Sequence, residues 1–133
     1  RALGIGQGAL DYALNYTQER RQFGRPISSF QGIQFMLADM ATLIESGRYL
    51  LYQGCAEIDR GEDGGYHTAS MAKCFLSDAA MKVSTDAVQL LGGYGYMKDH
   101  PVERMMRDAK LTQLSEGTNR VRNLALAEGM LGL

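Results

Sequence analysis

Residues 30–60, FQGIQFMLADMATLIESGRYLLYQGCAEIDR, decide the fold class. Ile33, Met36, Leu37, Met40, Leu43, Ile44, Leu50 and Leu51 recur at helical spacing and form one continuous apolar stripe. No proline interrupts the run. A helix of this length must bury its stripe against other elements, and the rest of the chain supplies helices for that purpose. Alternation of polar and apolar residues never persists anywhere, and β-branched residues are sparse, so strand signals are almost absent.

On the N-terminal side, a first helix is expected from about Ala2 to Gln22, with Leu3, Leu10, Ala13 and Leu14 on one face. Gly4, Gly6 and Gly8 each lower helix propensity by up to about 1 kcal/mol relative to alanine, and close helix packing is their expected use. Gly24 and Pro26 then break the chain, and Ser28 or Ser29 is a candidate cap for the long helix. On the C-terminal side, the polar, glycine-rich run from Arg60 to Gly65 reads as a loop. A third helix, about Thr68 to Leu91, should turn Ala72, Phe75, Leu76, Ala79, Val83, Ala87 and Leu90 inward. Gly92-Gly93-Tyr94-Gly95 ends it, a short helix follows Pro101, and Gly117 separates that helix from a last one over about Thr118 to Leu131. The expected architecture is all-α: an antiparallel, up-down four-helix bundle with extra C-terminal helices, forming one domain over residues 1–133.

Composition narrows the function. Of 133 residues, 45% are hydrophobic and 22% charged, with a formal net charge of −1. That balance builds a core but gives no electrostatic footprint for nucleic acid or an anionic membrane. No apolar run approaches the roughly 18 residues of a membrane span. Cys55 and Cys74 lie in helical patterns and imply no disulfide framework, which points to a reducing compartment. His67 and His100 have no metal-ligand spacing with each other or with the cysteines, so no metal is expected, and Met36, Met40, Met71 and Met81 read as core filler. The chain starts at Arg1 with helical patterning almost at once, which suggests a piece of a longer protein lacking its other domains.

Three segments can carry chemistry, and each also has a structural reading. In Ser115-Glu116-Gly117-Thr118-Asn119, a carboxylate sits between two expected helices beside a glycine that permits left-handed backbone. Glu116 could serve the following helix as an N-terminal charge, or act as a base in a cleft wall; Thr118 could cap that helix. In Glu19-Arg20-Arg21-Gln22-Phe23-Gly24-Arg25, the arginines could offset a helix dipole or hold a phosphate, and Phe23 could plug the bundle end. Gln89-Leu90-Leu91-Gly92-Gly93-Tyr94-Gly95-Tyr96 could be a plain helix terminus or a place where a ligand approaches the backbone. It is not a dinucleotide fingerprint, because no strand precedes it.

Together these segments resemble the C-terminal domain of the acyl-CoA dehydrogenase family. The likeness covers essentially the whole chain. It rests on YTQERRQFG from Tyr16 to Gly24, followed by Phe30-Gln31 and LADM from Leu37 to Met40. It rests also on Gln89, Gly92-Gly93, Gly95-Tyr96, Asp99, Arg104 and Asp108 in order, and on Glu116-Gly117-Thr118. The resemblance implies α,β-dehydrogenation of an acyl-CoA thioester by a flavoenzyme carrying FAD. Glu116 would take the α-proton while a hydride leaves the β-carbon for the flavin. Arg20 would contact the flavin pyrophosphate with Phe23 packed nearby. Gln31, Gln89 and Gly93 would serve the adenine-nucleotide end of a neighbouring subunit's flavin, and Thr118 would lie near the flavin. The resemblance further implies a homo-oligomer (dimer or tetramer), electron-transferring flavoprotein as acceptor, and a bacterial cytoplasmic or mitochondrial matrix location. An oxidase or an enoyl-CoA reductase of the same superfamily is the nearest alternative, and a non-catalytic oligomerisation module is the reading for the piece in isolation. The chain carries Ser115 where many relatives have an aromatic residue, and Arg120 where many have glutamine.

Overall fold

The computed structural model describes residues 1–62 and 64–132. Five helices account for most of them: α1 (Ala2–Glu19), α2 (Gln31–Asp59), α3 (Gly65–Leu91), α4 (Val102–Leu114) and α5 (Asn119–Leu131). Between α1 and α2 lie two-residue strands, β1 (Arg21–Gln22) and β2 (Arg25–Pro26), and a single 3-10 turn over Ile27–Ser29; another 3-10 turn, Gly92–Tyr96, follows α3.

α3 is the axis of the domain because its inward face is built from small residues. Ala72, Ala79, Ala80, Ala87, Ser77 and Ser84 are all buried, so neighbours approach from several sides. The hydroxyls cost little there, since Ser84 Oγ donates to Ala80 O at 2.7 Å and Ser77 Oγ to Cys74 O at 3.0 Å. The main core joins Ala9, Leu10 and Ala13 of α1, Met40 and Ile44 of α2, Val83, Ala87, Leu90 and Leu91 of α3, and Val102 of α4. α2 runs antiparallel to α3: Gly47 faces Leu76, while Gly54 faces Ala69 and Gly65 faces Ile58. α1 rises beside α3, and α4 descends beside both, with Met105 against Gly8 and Gln113 hydrogen-bonded to Asp78. α5 continues down α3 from Asn119 at Ser77 to Gly129 at His67. The fourth member of the up-down bundle is therefore split in two, with the break at Ser115–Thr118.

The all-α bundle matches the sequence reading, and its ends differ in detail. α1 stops at Glu19 rather than running on to Gln22, because the chain turns into the β1–β2 hairpin, whose two loop residues Phe23 (φ 53) and Gly24 (φ 78) are both left-handed. No serine caps α2: Phe30 occupies that position, and Ser29 Oγ instead donates to Pro26 O at 2.7 Å. α3 begins three residues early, at Gly65. Leu14 and Phe75, expected inward, are 39% and 36% exposed. Of the named methionines only Met40 is buried, while Met71 is exposed. Of Gly4, Gly6 and Gly8, only Gly6 makes the close approach expected of all three: a Cβ there would lie 2.5 Å from Ile44 Cδ1 and 3.5 Å from Ala80 Cα.

Candidate functional site

The break between α4 and α5 presents Glu116. α4 ends at Leu114 and is capped by Ser115, whose amide still donates to Leu111 O, and the next two residues are left-handed, Glu116 at φ 58 and Gly117 at φ 86. A glutamate in that conformation is uncommon and persists where the surroundings hold it. Here they hold it from both sides. Arg122 of α5 donates from Nη2 to Glu116 O at 2.9 Å, and Lys73 of α3 donates from Nζ to Gly117 O at 2.8 Å. Thr118 caps α5, its hydroxyl accepting from the Val121 amide at 3.4 Å. Asn119 ties the same turn to α3, with Nδ2 donating to Ser77 Oγ at 2.8 Å and to Asp78 Oδ1 at 3.0 Å.

The Glu116 carboxylate takes no part in this clamp. Its side chain is 72% exposed and meets Arg1 Nη1 at 3.7 Å, a contact that screening by water keeps weak. It stands at a cleft of about 260 Å³ with an apolar floor of Leu3, Leu51 and Leu76, and with Lys73, Thr112 and Ser115 on its walls. A carboxylate on a fixed backbone beside a cleft with an apolar floor has the placement a general base needs.

A second cleft, about 520 Å³, lies at the other end of α1. Arg20, Gln89 and Gly93 meet there, over walls of Tyr16, Leu90 and Tyr94. Arg20 follows directly on α1, and its guanidinium stands 5.7 Å from the Tyr94 ring centre. His100 supports the tyrosines from behind: Nδ1 is 2.8 Å from Tyr12 Oη, and its ring meets those of Tyr12, Tyr16 and Tyr94 edge to face. Gly95 lets the loop press onto α3, since a Cβ there would sit 2.5 Å from Val88 O.

The candidate residues thus divide. Arg20, Gln89 and Gly93 share the larger cleft; Glu116 and Thr118 share the helix break. Leu3 in one cleft and Tyr16 in the other are thirteen residues apart on α1, which sets the two sites roughly 20 Å apart along the helix. Phe23 and Gln31 line neither cleft. Phe23 projects from the hairpin tip, 92% exposed, with its ring edge to face on Phe30 at 6.2 Å, and Gln31 is exposed at the start of α2. Lys73 and Arg122 escaped sequence reading, and Asn119 entered it only as the end of the Glu116 segment, with no role of its own. Lys73 lies 43 positions before Glu116, and nothing in its local pattern distinguishes it from a solvated helix lysine.

The fold and its two clefts can be set beside known proteins. The chain is 54% identical over 132 residues to an acyl-CoA dehydrogenase of Bacillus subtilis, a match covering 99% of this chain and 35% of that protein. It is 51% identical over 131 residues to cyclohexane-1-carbonyl-CoA dehydrogenase of Geobacter metallireducens, covering 98% of this chain and 34% of that protein. The structure superposes on butyryl-CoA dehydrogenase of Megasphaera elsdenii with a TM-score of 0.95 at 46% identity, over 98% of this chain and 34% of that one. The chain spans about a third of the length of the curated relatives it matches. The profile of the family described as acyl-CoA dehydrogenase, C-terminal domain, matches residues 1–131, and the helix break with Glu116 and the Arg20–Gln89–Gly93 cleft both fall inside that span. The chain belongs to the acyl-CoA dehydrogenase C-terminal domain family.

Proposed function

We propose that this chain is the C-terminal domain of an enzyme that desaturates an acyl-CoA thioester between its α and β carbons, with Glu116 as the base. The carrying observation is the Glu116 carboxylate, exposed at a cleft of mixed polar and apolar lining on a left-handed turn clamped at both carbonyls. An α-proton next to a thioester is a weak acid, so the base must be held close to it, and a clamped turn supplies that positioning.

The larger cleft fits the nucleotide portion of FAD. Arg20 offers a fork of donors for a pyrophosphate, Gln89 offers an amide, and a Cβ at Gly93 would meet no atom within 4 Å, so the backbone there is open to a ligand. When bound, FAD supplies the acceptor for the hydride leaving the β-carbon. Thr118 would lie near the flavin beside Glu116. Arg20, Gln89, Gly93, Phe23 and Gln31 would reach the flavin of a neighbouring subunit, which accounts for two sites separated along one helix. Exposed apolar side chains suit such an assembly: Val121, Leu124 and Leu131 on α5, and Phe35, Tyr49 and Tyr52 on α2. Electron-transferring flavoprotein is the proposed acceptor. Among the described residues no helix is long and apolar enough to cross a membrane.

The test uses the full-length polypeptide carrying this domain, with flavin bleaching followed anaerobically over a panel of acyl-CoAs. Wild type should bleach with its preferred thioester. Glu116→Gln should keep its flavin and lose bleaching by about 100-fold or more, as expected for a lost general base. Equal bleaching in both would remove Glu116 from the reaction.

A further inference from the structure

The helix break raises a question about its own stability. Two consecutive left-handed residues, one of them a glutamate, form a turn that its own sequence does not favour. The clamp across it has one member that is not local. Arg122 and Asn119 belong to the helix that follows the turn, whereas Lys73 comes from the first half of α3. We propose that Lys73 is a positioning residue for the Glu116 carboxylate, holding the turn to the domain axis through Gly117 O and Asn119 Oδ1. This rests on the reading of Glu116 as the base.

The geometry is specific. Lys73 Nζ donates to Gly117 O at 2.8 Å and to Asn119 Oδ1 at 2.7 Å, and the same Asn119 donates from Nδ2 to Ser77 Oγ at 2.8 Å. Ser77 is buried and spends its proton on Cys74 O at 3.0 Å, so its oxygen is free to accept from Asn119. Lys73 as donor and Asp78 as acceptor orient the Asn119 amide, with nitrogen toward Ser77 and Asp78 and oxygen toward Lys73. One ammonium thereby ties the residue after Glu116 and the first residue of α5 to a rigid helix. A bond from a cation to a carbonyl is about twice as strong as a neutral one, which suits a turn that must resist relaxation. Without Lys73, Arg122 still holds Glu116 O from α5 and Asn119 still reaches Ser77 and Asp78, but no bond from α3 holds the Gly117 carbonyl beside Glu116. The carboxylate would keep its chemistry and lose its aim.

Proton abstraction can be isolated from hydride loss. A thioester without a β-hydrogen can give its α-proton to Glu116 and take back a deuteron when the enzyme is in D2O, with no net redox change. The experiment measures this exchange by mass spectrometry in the full-length flavin-bound enzyme, as wild type, Glu116→Gln, Lys73→Met and Lys73→Arg. Exchange in Lys73→Met should fall about 10- to 100-fold, with thioester affinity and flavin content changed less than about threefold, since small misplacements of a base cost rate rather than binding. Lys73→Arg should recover part of the loss, because it restores a cationic donor. Exchange within about twofold of wild type in Lys73→Met, with Glu116→Gln inactive, overturns the Lys73 role and leaves the base intact. Undiminished exchange in Glu116→Gln overturns the base and the Lys73 role with it. If Lys73→Met does not retain flavin, Asn119→Ala decides. It removes the ammonium's side-chain partner and the bond to Ser77, and should slow exchange about 10-fold; an unchanged rate overturns the proposal.

Discussion

Glu116 and Gly117 were visible in the sequence as a carboxylate beside a glycine between two helices, and their left-handed conformations explain the pairing. What holds them was not visible, because Lys73 and Asn119 meet only after α3 and α5 have packed. The glycine loop shows the same division. Its composition marked it as a terminus or a ligand contact, but did not reveal that its members have different tasks. A Cβ at Gly95 would strike Val88 O at 2.5 Å and Val88 Cα at 2.9 Å, backbone atoms that cannot turn aside, whereas one at Gly93 meets nothing within 4 Å. Gly95→Ala should therefore destabilise the domain by about 1–3 kcal/mol, as overpacking does. Gly93→Ala should stay within about 0.5 kcal/mol of wild type, as an open surface site allows. Denaturant unfolding gives both values, and flavin retention through gel filtration separates them from binding. Gly93→Ala should lose flavin while keeping stability. If it keeps its flavin, the backbone there is not where a ligand lies.

At the scale of elements, the helices were legible because each carries a long apolar stripe, and α2 most of all. Their ends were less so. The β1–β2 hairpin escaped because strands of two residues cannot show alternation, and Phe23-Gly24 is not the Asn-Gly or Asp-Gly pair that signals such a loop. α4 was expected as a short helix and spans Val102–Leu114. Its first turn carries Glu103, which accepts from Arg107 Nε at 2.9 Å and Nη2 at 3.1 Å one turn along. The Arg107 hydrogen bonds, reinforced by the guanidinium charge, hold the Glu103 carboxyl below the usual carboxylate range. The sign follows from linkage. A depressed acid stabilises the folded chain above its unfolded pKa, and that contribution disappears as pH falls through the lower folded value. The stability gap between wild type and Glu103→Gln should be full near neutral pH and close in acid, as urea unfolding at stepped pH would measure. A gap that persists below the folded pKa would assign the effect to shape rather than charge.

At the scale of the molecule, α3 organises everything else, and its central role comes from alanines and serines that no amphipathic pattern singles out from other small-residue helices. The sequence indicated a four-helix bundle with extra C-terminal helices and a break at Gly117; only the packing shows α4 and α5 following one another down the same flank of α3, as a single fourth member split in two. The consequence is that the turn bearing Glu116 and the cleft bearing Arg20 open at opposite ends of α1. If each flavin is completed by two subunits, as proposed, these two sites serve different flavins and their defects should complement. Glu116→Gln and Arg20→Ala subunits of the full-length protein, each inactive alone, would pair at random when co-produced. About half of the resulting dimers would be mixed, and each mixed dimer would hold one site with both residues intact, so activity should return to about one quarter of wild type under two-fold symmetry. Anaerobic flavin bleaching of the co-produced pool would measure it, and tagged purification of the mixed dimers should raise the figure to about one half. Mixed dimers with no more activity than either parent would mean that Arg20 and Glu116 act on the same flavin from the same chain, and the shared site would have to be abandoned.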